Sequence, residues 1–387
     1  MDVSAPSARP PAITIGEKWS RYGPGVLPAW VADMDLGVAE PIRMALADTL
    51  ERNDLGYPSS QLLERVVAAF VQWSRTRHGL EVDPELVVVT SEVVQAVYLA
   101  VMTLTAPGDA VVVQTPAYPP FFRAVAETGR RLVEHPLKDS ATKYLMDLDD
   151  LQNVVRKERA RMLICCNPHN PTGRVLSSEE LTGLARIALE EDVILVVDEI
   201  HSDLVHKGYK HIPMAALGQD IAERTVSLTS ASKAFNIAGL RCAVALFGSQ
   251  ELLSCFKAIP SHARGGLSSL GLLATAVAWE QGEPWLNWVT AQLAQRRDLV
   301  ARRVAADLNG VRLHPPEGGY LAWLDCTQSG LGPDPARFFL EHALVALSPG
   351  LDFGVVGAGH ARLNFATTAP LLDSILSRMA SAMSAGR

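Results

Sequence analysis

Between about residues 41 and 280, short apolar segments alternate with longer amphipathic ones, which leaves few architectures open to the chain. Six apolar segments have the length and composition of buried strands: 86–90, 110–114, 161–166, 193–197, 225–229 and 242–247. Most are continuously apolar, as strands are when helices cover both faces of a sheet. Helical patterns separate them at 93–105, 117–127 and 178–190. This order predicts an α/β fold with a mostly parallel sheet sandwiched by helices.

The pattern changes after about residue 280, and the chain of 387 residues is too long for one ordinary core. Later segments predict a long helix, a strand opened by glycines, a helix, a short strand and a closing helix, at 285–308, 318–324, 335–344, 361–365 and 371–383. We therefore expect three regions. They are an N-terminal arm with part of a small domain at 1–40, a large domain at 41–280 and a small α+β C-terminal domain at 281–387.

Composition argues against several classes of partner and location. The net charge of −7 gives no general attraction to nucleic acid or to anionic membranes. No apolar segment approaches the roughly 20 residues that span a bilayer. Residues 1–11 lack the apolar core of a signal peptide and are expected to form a flexible arm. We expect a cytoplasmic protein that binds neither nucleic acid nor membrane.

The cysteines give no sign of a metal site or a disulfide framework. There are five, an odd number, and two of them are adjacent in one apolar segment. Their spacing matches no zinc motif. We expect all five to be reduced core residues: Cys165, Cys166, Cys242, Cys255 and Cys326.

A lysine lies just after the predicted strand 225–229, in the segment Ser230-Ala231-Ser232-Lys233-Ala234-Phe235-Asn236. A lysine in this place either extends its ammonium group to water or becomes desolvated. A desolvated amine loses its proton easily and can form a Schiff base with a carbonyl group. With two serines available to hold a phosphate, the segment suggests covalently bound pyridoxal phosphate. Taken alone it fits a surface lysine better, and the other strand ends must decide.

Polar residues also follow two neighbouring strands. Asp198 directly follows 193–197, and a carboxylate at the end of so apolar a strand is costly unless it meets a cation. The cation could be the pyridinium nitrogen of a cofactor. Alternatively, Asp198 caps the next element or pairs with an arginine. Asn170 lies between prolines after 161–166, in a rigid turn that needs no function of its own. Ligands collect at the carboxyl ends of the strands in such sheets. The sequence therefore predicts a shared site for these residues and Lys233.

The strand 86–90 leads into a helix for which Thr90 or Ser91 is the expected N-cap. The free N–H groups of such a helix end can hold a phosphate, although Glu92 would repel one unless its side chain points outward. Arg241, eight residues after Lys233, either adds positive charge there or forms a surface ion pair.

Three more residues are candidates. Tyr118 follows 110–114 and either stacks on an aromatic cofactor or packs as an ordinary tyrosine in a proline-rich turn. Tyr57 is a similar isolated tyrosine in an N-terminal loop. Arg362 lies in an apolar strand, where a guanidinium usually binds a carboxylate bidentately, from a substrate or from a structural residue.

The order of these segments resembles that of fold-type I pyridoxal-phosphate enzymes of the class I/II aminotransferase-like family. The matching segments are Asn167-Pro168-His169-Asn170-Pro171-Thr172-Gly173, Asp198-Glu199-Ile200-His201, Ser230-x-Ser232-Lys233, Arg241 and Arg362. The resemblance runs from Trp30 to Met383. The segments 30–35, 167–170, 198–204 and 362–366 are most similar to the MalY/PatB-type cystathionine β-lyases, a C–S lyase branch.

The resemblance implies that the large domain binds pyridoxal 5′-phosphate. Lys233 would form the Schiff base and transfer protons, Asp198 would pair with the pyridine nitrogen, and Asn170 would contact the ring hydroxyl. Tyr118 would stack on the ring and is counted with Lys233 among the catalytic residues. His201 would also contact the cofactor, in a position where many aminotransferases carry a tyrosine, which fits the lyase branch.

The resemblance also implies contacts to the phosphate and the substrate. The phosphate would be held by Ser230, Ser232, Arg241 and the backbone at Val93 and Val94. Tyr57, the third residue counted as catalytic, would reach the phosphate of a neighbouring subunit in a homodimer with shared sites. Arg362 would bind the α-carboxylate of the substrate, and Asn170, Ala32 and Asp33 would also contact the substrate. Glu92 departs from the small residue that relatives usually carry in the phosphate seat.

The implied activity is that of a C–S β-lyase, which converts a cysteine S-conjugate or a cystathionine-like amino acid into a thiol, pyruvate and ammonia by α,β-elimination. An aminotransferase, or an enzyme of specialised metabolism that decarboxylates or oxidatively deaminates a similar substrate, remains an alternative. A regulator that binds the cofactor without catalysis is a third, which the complete set of Lys233, Asp198 and Arg362 disfavours.

Overall fold

The structure, a computed structural model, describes residues 15–385. Its centre is a seven-stranded sheet. In spatial order the strands are Val87–Thr90, Ala243–Phe247, Thr225–Thr229, Ile194–Asp198, Ala160–Cys166, Ala110–Thr115 and Arg131–Pro136. Ala243–Phe247 runs antiparallel to both neighbours, and the other four pairings are parallel. The predicted α/β fold with a mostly parallel sheet is confirmed.

Side chains of the central strands are buried on both faces of this sheet, which explains their continuous apolar sequences. Val111 and Val113 pack with Val97 of the helix Val93–Leu104 on one face. Val112, between them, packs on the other face with residues of the helices that cover that side. The helices around the sheet are Glu40–Glu51, Ser60–Trp73, Val93–Leu104, Pro119–Glu127, Leu148–Glu158, Ser178–Glu190, Gln250–Lys257 and Ser269–Gln281.

All six predicted strands are observed, each with ends within one residue of the prediction. The prediction missed the seventh, Arg131–Pro136. This strand lies at the edge of the sheet, paired only with Ala110–Thr115, and most of its side chains are partly or fully exposed. An edge strand needs little apolar sequence, so its charged residues conceal it.

A second, antiparallel sheet of four strands follows in the chain. Its spatial order is Arg312–Leu313, Leu321–Asp325, His360–Asn364 and Ser348–Pro349. The helices of this part are Glu283–Asp307, Pro335–Ala343 and Ala369–Ala385, in agreement with the predicted elements. A short strand, Leu27–Pro28, pairs in parallel with Val345–Ala346 and attaches the N-terminal segment here.

The region limits at residues 40 and 280 stay predictions. Residues 1–14 of the predicted arm, including the segment 1–11, lie outside the described residues, as do 386 and 387. No helix within 15–385 has both the length and the apolar character needed to cross a membrane.

Four of the five free cysteines are buried as predicted. The prediction is wrong for Cys255, which is exposed. It lies on the helix Gln250–Lys257, whose buried face is formed by Leu252, Leu253 and Phe256. The helical repeat places position 255 on the opposite side of the helix.

Candidate active site

The predicted site residues meet where the carboxyl ends of the large sheet's strands face the four-stranded sheet. Asp198 ends one central strand, and Asn170, Lys233 and Tyr118 follow three others. Arg362 comes from the second sheet, and its Nη1 donates a hydrogen bond to Asn170 Oδ1 at 2.9 Å. The shared location that was expected from the strand ends is therefore observed, and it includes a residue 192 positions away from Asn170.

Lys233 lies in the four-residue helix Ala231–Ala234, directly after its strand. Its Nζ donates a hydrogen bond to the carbonyl oxygen of Ala32 at 2.9 Å. Burial lowers the pKa of Lys233; Asp33 and Asp198 oppose the shift, and Arg362 and Arg241 add to it. A partly exposed amine with a lowered pKa is prepared to act as a nucleophile and as a base.

Asp198 is buried, with 5% of its surface exposed. One carboxylate oxygen accepts the backbone N–H of Ile200 at 3.0 Å. Burial raises the pKa of Asp198 to about 7 and neighbouring Glu199 adds to the rise, whereas the Ile200 N–H and Lys233 oppose it. No cation among residues 15–385 forms an ion pair with this carboxyl group, and a buried carboxyl group of this kind favours a cationic ligand atom beside it.

The raised pKa of Asp198 makes the stability of cofactor-free protein depend on pH. The folded protein holds this proton more tightly than the unfolded chain. The group therefore stabilises the fold fully below its ordinary pKa of 3.8 and loses that contribution as the pH rises through about 7. We expect the loss between pH 5 and pH 8 to be about 2–3 kcal/mol in the free energy of unfolding.

Urea unfolding of the cofactor-free wild type and of Asp198→Asn at both pH values measures this loss. The asparagine cannot titrate, so the fall in stability should be smaller in the variant by about the stated amount. An equal pH dependence in the two proteins would contradict the assignment.

Arg362 is buried, at 6% exposure, and its hydrogen bonds go to neutral groups. Besides Asn170, they reach the carbonyl oxygen of Trp30 and Oγ of Ser348, both at 3.0 Å. Burial lowers the pKa of Arg362 to about 10, so it stays charged at neutral pH. Its Nε is buried without a hydrogen-bond partner in the described part of the chain. No carboxylate among residues 15–385 accepts a hydrogen bond from Arg362, although Asp352 is close enough to oppose the lowering of its pKa. This cation therefore suits an anionic ligand.

The aromatic and imidazole groups of the site lie around these charges. Tyr118 is the N-cap residue of Pro119–Glu127 and packs edge-on against Phe121, with ring centroids 5.8 Å apart. Burial raises the pKa of Tyr118. Burial also lowers the pKa of His201 to about 3, helped by Lys233 and Arg362, so this imidazole is neutral. Its Nδ1 is buried and has no partner in the described residues.

The predicted phosphate seat differs from the sequence expectation in its capping residue. Glu92, not Thr90 or Ser91, is the N-cap of Val93–Leu104. The side chain of Ser91 is engaged elsewhere, with its Oγ donating to Gln95 Oε1 at 2.8 Å. Because Glu92 does not cap the helix with its side chain, the first amides, at Val93 and Val94, remain available to an anion.

Ser230, the first of the two serines before Lys233, makes two hydrogen bonds within the chain through its hydroxyl group. Oγ of Ser230 donates to the carbonyl oxygen of Cys242 at 2.6 Å and accepts the N–H of Ser232 at 3.0 Å. Ser230 therefore fixes the turn, and it must rotate its hydroxyl group before it can donate to a phosphate. Arg241 is in direct contact with Glu92, Nη1 to Oε2.

Two of the remaining predicted residues, Ala32 and Asp33, lie near Lys233, and the third, Tyr57, does not contact the site of its own chain. The carbonyl oxygen of Ala32 accepts the Lys233 bond, and Asp33 is near enough to affect the pKa of Lys233. Tyr57 is fully exposed on this chain, at 102%, in the loop before the helix Ser60–Trp73. The single chain therefore does not bury it in the site.

Sequence reasoning missed the residues that hold the segment 31–34 over the lysine. Oη of Tyr320 donates to the Ala32 carbonyl oxygen at 2.8 Å. Nδ2 of Asn364 donates to the carbonyl oxygens of Val31 and Asp33, at 2.6 and 2.7 Å. Asn236 accepts the N–H of Met34 at 2.9 Å. The only local signals are that Asn236 follows Lys233 by three positions and that Tyr320 follows two glycines.

Together these groups fit a phosphorylated pyridine aldehyde. The amine of Lys233 suits an aldehyde, the buried carboxyl group of Asp198 suits a ring nitrogen, and the unpartnered Nδ1 of His201 offers a ring substituent a polar contact. The free helix amides at Val93 and Val94 suit a phosphate.

Comparison with known proteins agrees with this chemistry. The family described as "Aminotransferase class I and II" matches residues 31–379. The chain is 35% identical to the cystathionine β-lyase PatB of Bacillus subtilis, over 95% of this chain and 96% of that protein. A putative PLP-dependent β-cystathionase of Corynebacterium diphtheriae superposes with a TM-score of 0.90 at 33% identity, over 95% of this chain and 96% of that one.

The PLP-bound C–S lyase of Staphylococcus hominis is similar as well, with a TM-score of 0.91 at 31% identity over 97% of both chains. These proteins cover nearly the whole chain, including both sheets and the site between them. The protein belongs to the class I and II aminotransferase family of fold-type I enzymes, in which it groups with the PatB/MalY-type relatives, and its cofactor is pyridoxal 5′-phosphate.

Proposed function

We propose that the protein is a PLP-dependent C–S β-lyase. It acts on a cysteine S-conjugate or a cystathionine-like amino acid and releases a thiol, pyruvate and ammonia with the uptake of one water. The observation that carries the proposal is that the Lys233 amine lies near the Arg362 guanidinium, which makes no hydrogen bond to a carboxylate of the described residues. The choice of elimination is supported by relatives named cystathionine β-lyase over nearly the full chain.

The cofactor would be held by residues at the carboxyl ends of several strands of the large sheet. Lys233 would carry it covalently, Asp198 would face the ring nitrogen, and Asn170 and His201 would lie at the ring hydroxyl. Tyr118 would cover one face of the ring. The phosphate would be held by the amides of Val93 and Val94 together with Ser230, Ser232 and Arg241.

When bound, pyridoxal 5′-phosphate supplies an electron sink that stabilises negative charge at the substrate Cα. Arg362 binds the α-carboxylate, and its guanidinium is oriented by Asn170 and Ser348. Lys233 Nζ, positioned by the Ala32 carbonyl oxygen, removes the Cα proton. The Cβ–S bond then breaks and its electron pair leaves with sulfur as a thiolate, a competent leaving group because a thiol has a pKa of about 8.5.

Product analysis of the purified holoenzyme tests the proposal. Cystathionine, cystine and an S-alkyl cysteine are offered with and without added 2-oxoglutarate, and thiol, pyruvate and glutamate are measured separately. We expect thiol and pyruvate in equal amounts from at least one of these substrates. Amino-group transfer that requires a keto acid and releases no thiol would instead establish an aminotransferase.

We also propose that the enzyme is a homodimer in which Tyr57 contacts the cofactor phosphate of the partner chain. The side chain of Tyr57 is fully exposed, and those of Leu55, two residues earlier, and Met44, on the preceding helix, are more than half exposed as well. Large apolar side chains exposed in this part of the chain support an interface. The adjacent free thiols of Cys165 and Cys166 support a location in the reducing cytoplasm, which cell fractionation checks.

A further inference from the structure

The most unusual contact at the site is the ion pair between Glu92 and Arg241. The two residues are 149 positions apart, and Glu92 Oε2 is in direct contact with Arg241 Nη1. The side chains are 40% and 61% exposed, so solvent reaches both. An exposed pair of this kind adds little to the stability of a fold. Its place in the site is therefore of more interest than its contribution to folding.

Both charges lie near residues of the candidate active site. Glu92 is the N-cap residue of Val93–Leu104, next to the amides that suit a phosphate. Glu92 is close enough to Tyr118 to help raise its pKa, and Arg241 is close enough to Lys233 to help lower its pKa. The carboxylate thus lies on a cation and beside helix amides that an anion of the cofactor would use.

We propose that Glu92 is an internal competitor for the cofactor phosphate. Its carboxylate holds Arg241 when no phosphate is present, and it must turn toward solvent before the phosphate can take that cation. This inference rests on the cofactor placement proposed above. It assigns Glu92 a role in how firmly the enzyme holds pyridoxal 5′-phosphate, which the relatives' names do not address.

Charge determines the direction of the effect. A bound phosphate monoester carries nearly two negative charges at neutral pH, and a carboxylate at the same helix end repels it. The carboxylate also competes for the guanidinium of Arg241. Because the side chain of Glu92 is 40% exposed, it can rotate away, so the competition weakens cofactor binding without preventing it. We expect Glu92→Gln to bind the cofactor about tenfold more tightly, a change of about 1.4 kcal/mol.

The test measures cofactor retention rather than turnover. Wild-type, Glu92→Gln and Arg241→Gln holoenzymes and the double variant are dialysed to equilibrium against decreasing concentrations of pyridoxal 5′-phosphate, and bound cofactor is measured by absorbance. Glu85→Gln is the matched control. Glu85 is an exposed residue just before the strand Val87–Thr90, which precedes Glu92, and its substitution changes the net charge by the same amount. A parallel series with pyridoxal, which lacks the phosphate, isolates the phosphate contribution.

We expect Glu92→Gln to lower the dissociation constant for pyridoxal 5′-phosphate about tenfold and to leave that for pyridoxal unchanged. The gain should shrink when Arg241 is already glutamine, and Glu85→Gln should behave as wild type. Unchanged or weaker binding by Glu92→Gln would overturn the inference, because Glu92 would then only support Arg241. An equal gain with pyridoxal would overturn it too. Absence of thiol release from the wild type would refute the lyase function alone.

Discussion

Replacing Lys233 with alanine is expected to lower kcat for thiol release by about 10⁴-fold or more. The variant loses the Nζ that binds to the Ala32 carbonyl oxygen, and with it both the covalent attachment of the cofactor and the base at Cα. Pyruvate and thiol are measured with saturating pyridoxal 5′-phosphate, so that loss of the covalent bond does not appear as loss of cofactor. Retention of more than about one per cent of wild-type activity would contradict this assignment.

A control for correct folding uses the proposed dimer. Lys233→Ala and Tyr57→Ala chains are produced together, so that a mixed dimer has one site with both Lys233 and a partner tyrosine. With each variant inactive alone, random pairing of equal amounts predicts recovery of about a quarter of wild-type activity, because about half of the dimers are mixed and each of these has one intact site. About half of wild-type activity would instead mean that the tyrosine is not needed. Recovery shows that the lysine variant folds and pairs. No recovery from chains that do associate would refute the contribution of Tyr57 to the partner's site.

Arg362→Leu is expected to lower kcat/KM by about 10²–10³-fold, mostly through KM. Leucine removes the charge and the two-pronged geometry that fit a carboxylate, and it leaves Asn170 Oδ1 without its donor. Arg362→Lys keeps the charge but loses the geometry, so we expect an intermediate value. Steady-state kinetics on one S-alkyl cysteine measure both.

The cofactor content of the Arg362 variants is the control, because the proposal assigns the guanidinium to the substrate and not to holding the cofactor. It should remain that of the wild type. A fall in kcat with an unaltered KM in Arg362→Leu would argue against carboxylate binding by this residue.

The sequence allowed accurate prediction of those elements whose signals are local. Buried central strands are continuously apolar, and polar residues directly after them marked Asp198, Asn170 and Lys233. The predicted N-cap at Thr90 or Ser91 was wrong, because the preference of serine and threonine for caps is statistical and here Ser91 is engaged with Gln95. The edge strand Arg131–Pro136 was missed for want of an apolar pattern.

The other features that the sequence did not predict are contacts between distant segments. Asn364 and Val31 are 333 positions apart, and Tyr320 and Ala32 are 288 apart. No periodicity or spacing within one segment encodes such a pair, because each side chain alone looks like an ordinary strand residue. The same holds for the Glu92–Arg241 contact, of which the sequence showed only an unexpected carboxylate.

The segment around Ala32 supports two functional groups with one short stretch of backbone. The Trp30 carbonyl oxygen accepts a bond from Arg362, and the Ala32 carbonyl oxygen, two residues on, accepts the bond from Lys233. The distance between the Arg362 guanidinium and the Lys233 amine is therefore set by one short backbone segment, residues 30–32. Asn364 holds this segment through hydrogen bonds to the carbonyl oxygens of Val31 and Asp33. A distortion of this segment would displace both Arg362, which is proposed to bind the substrate carboxylate, and Lys233, which is proposed to be the base.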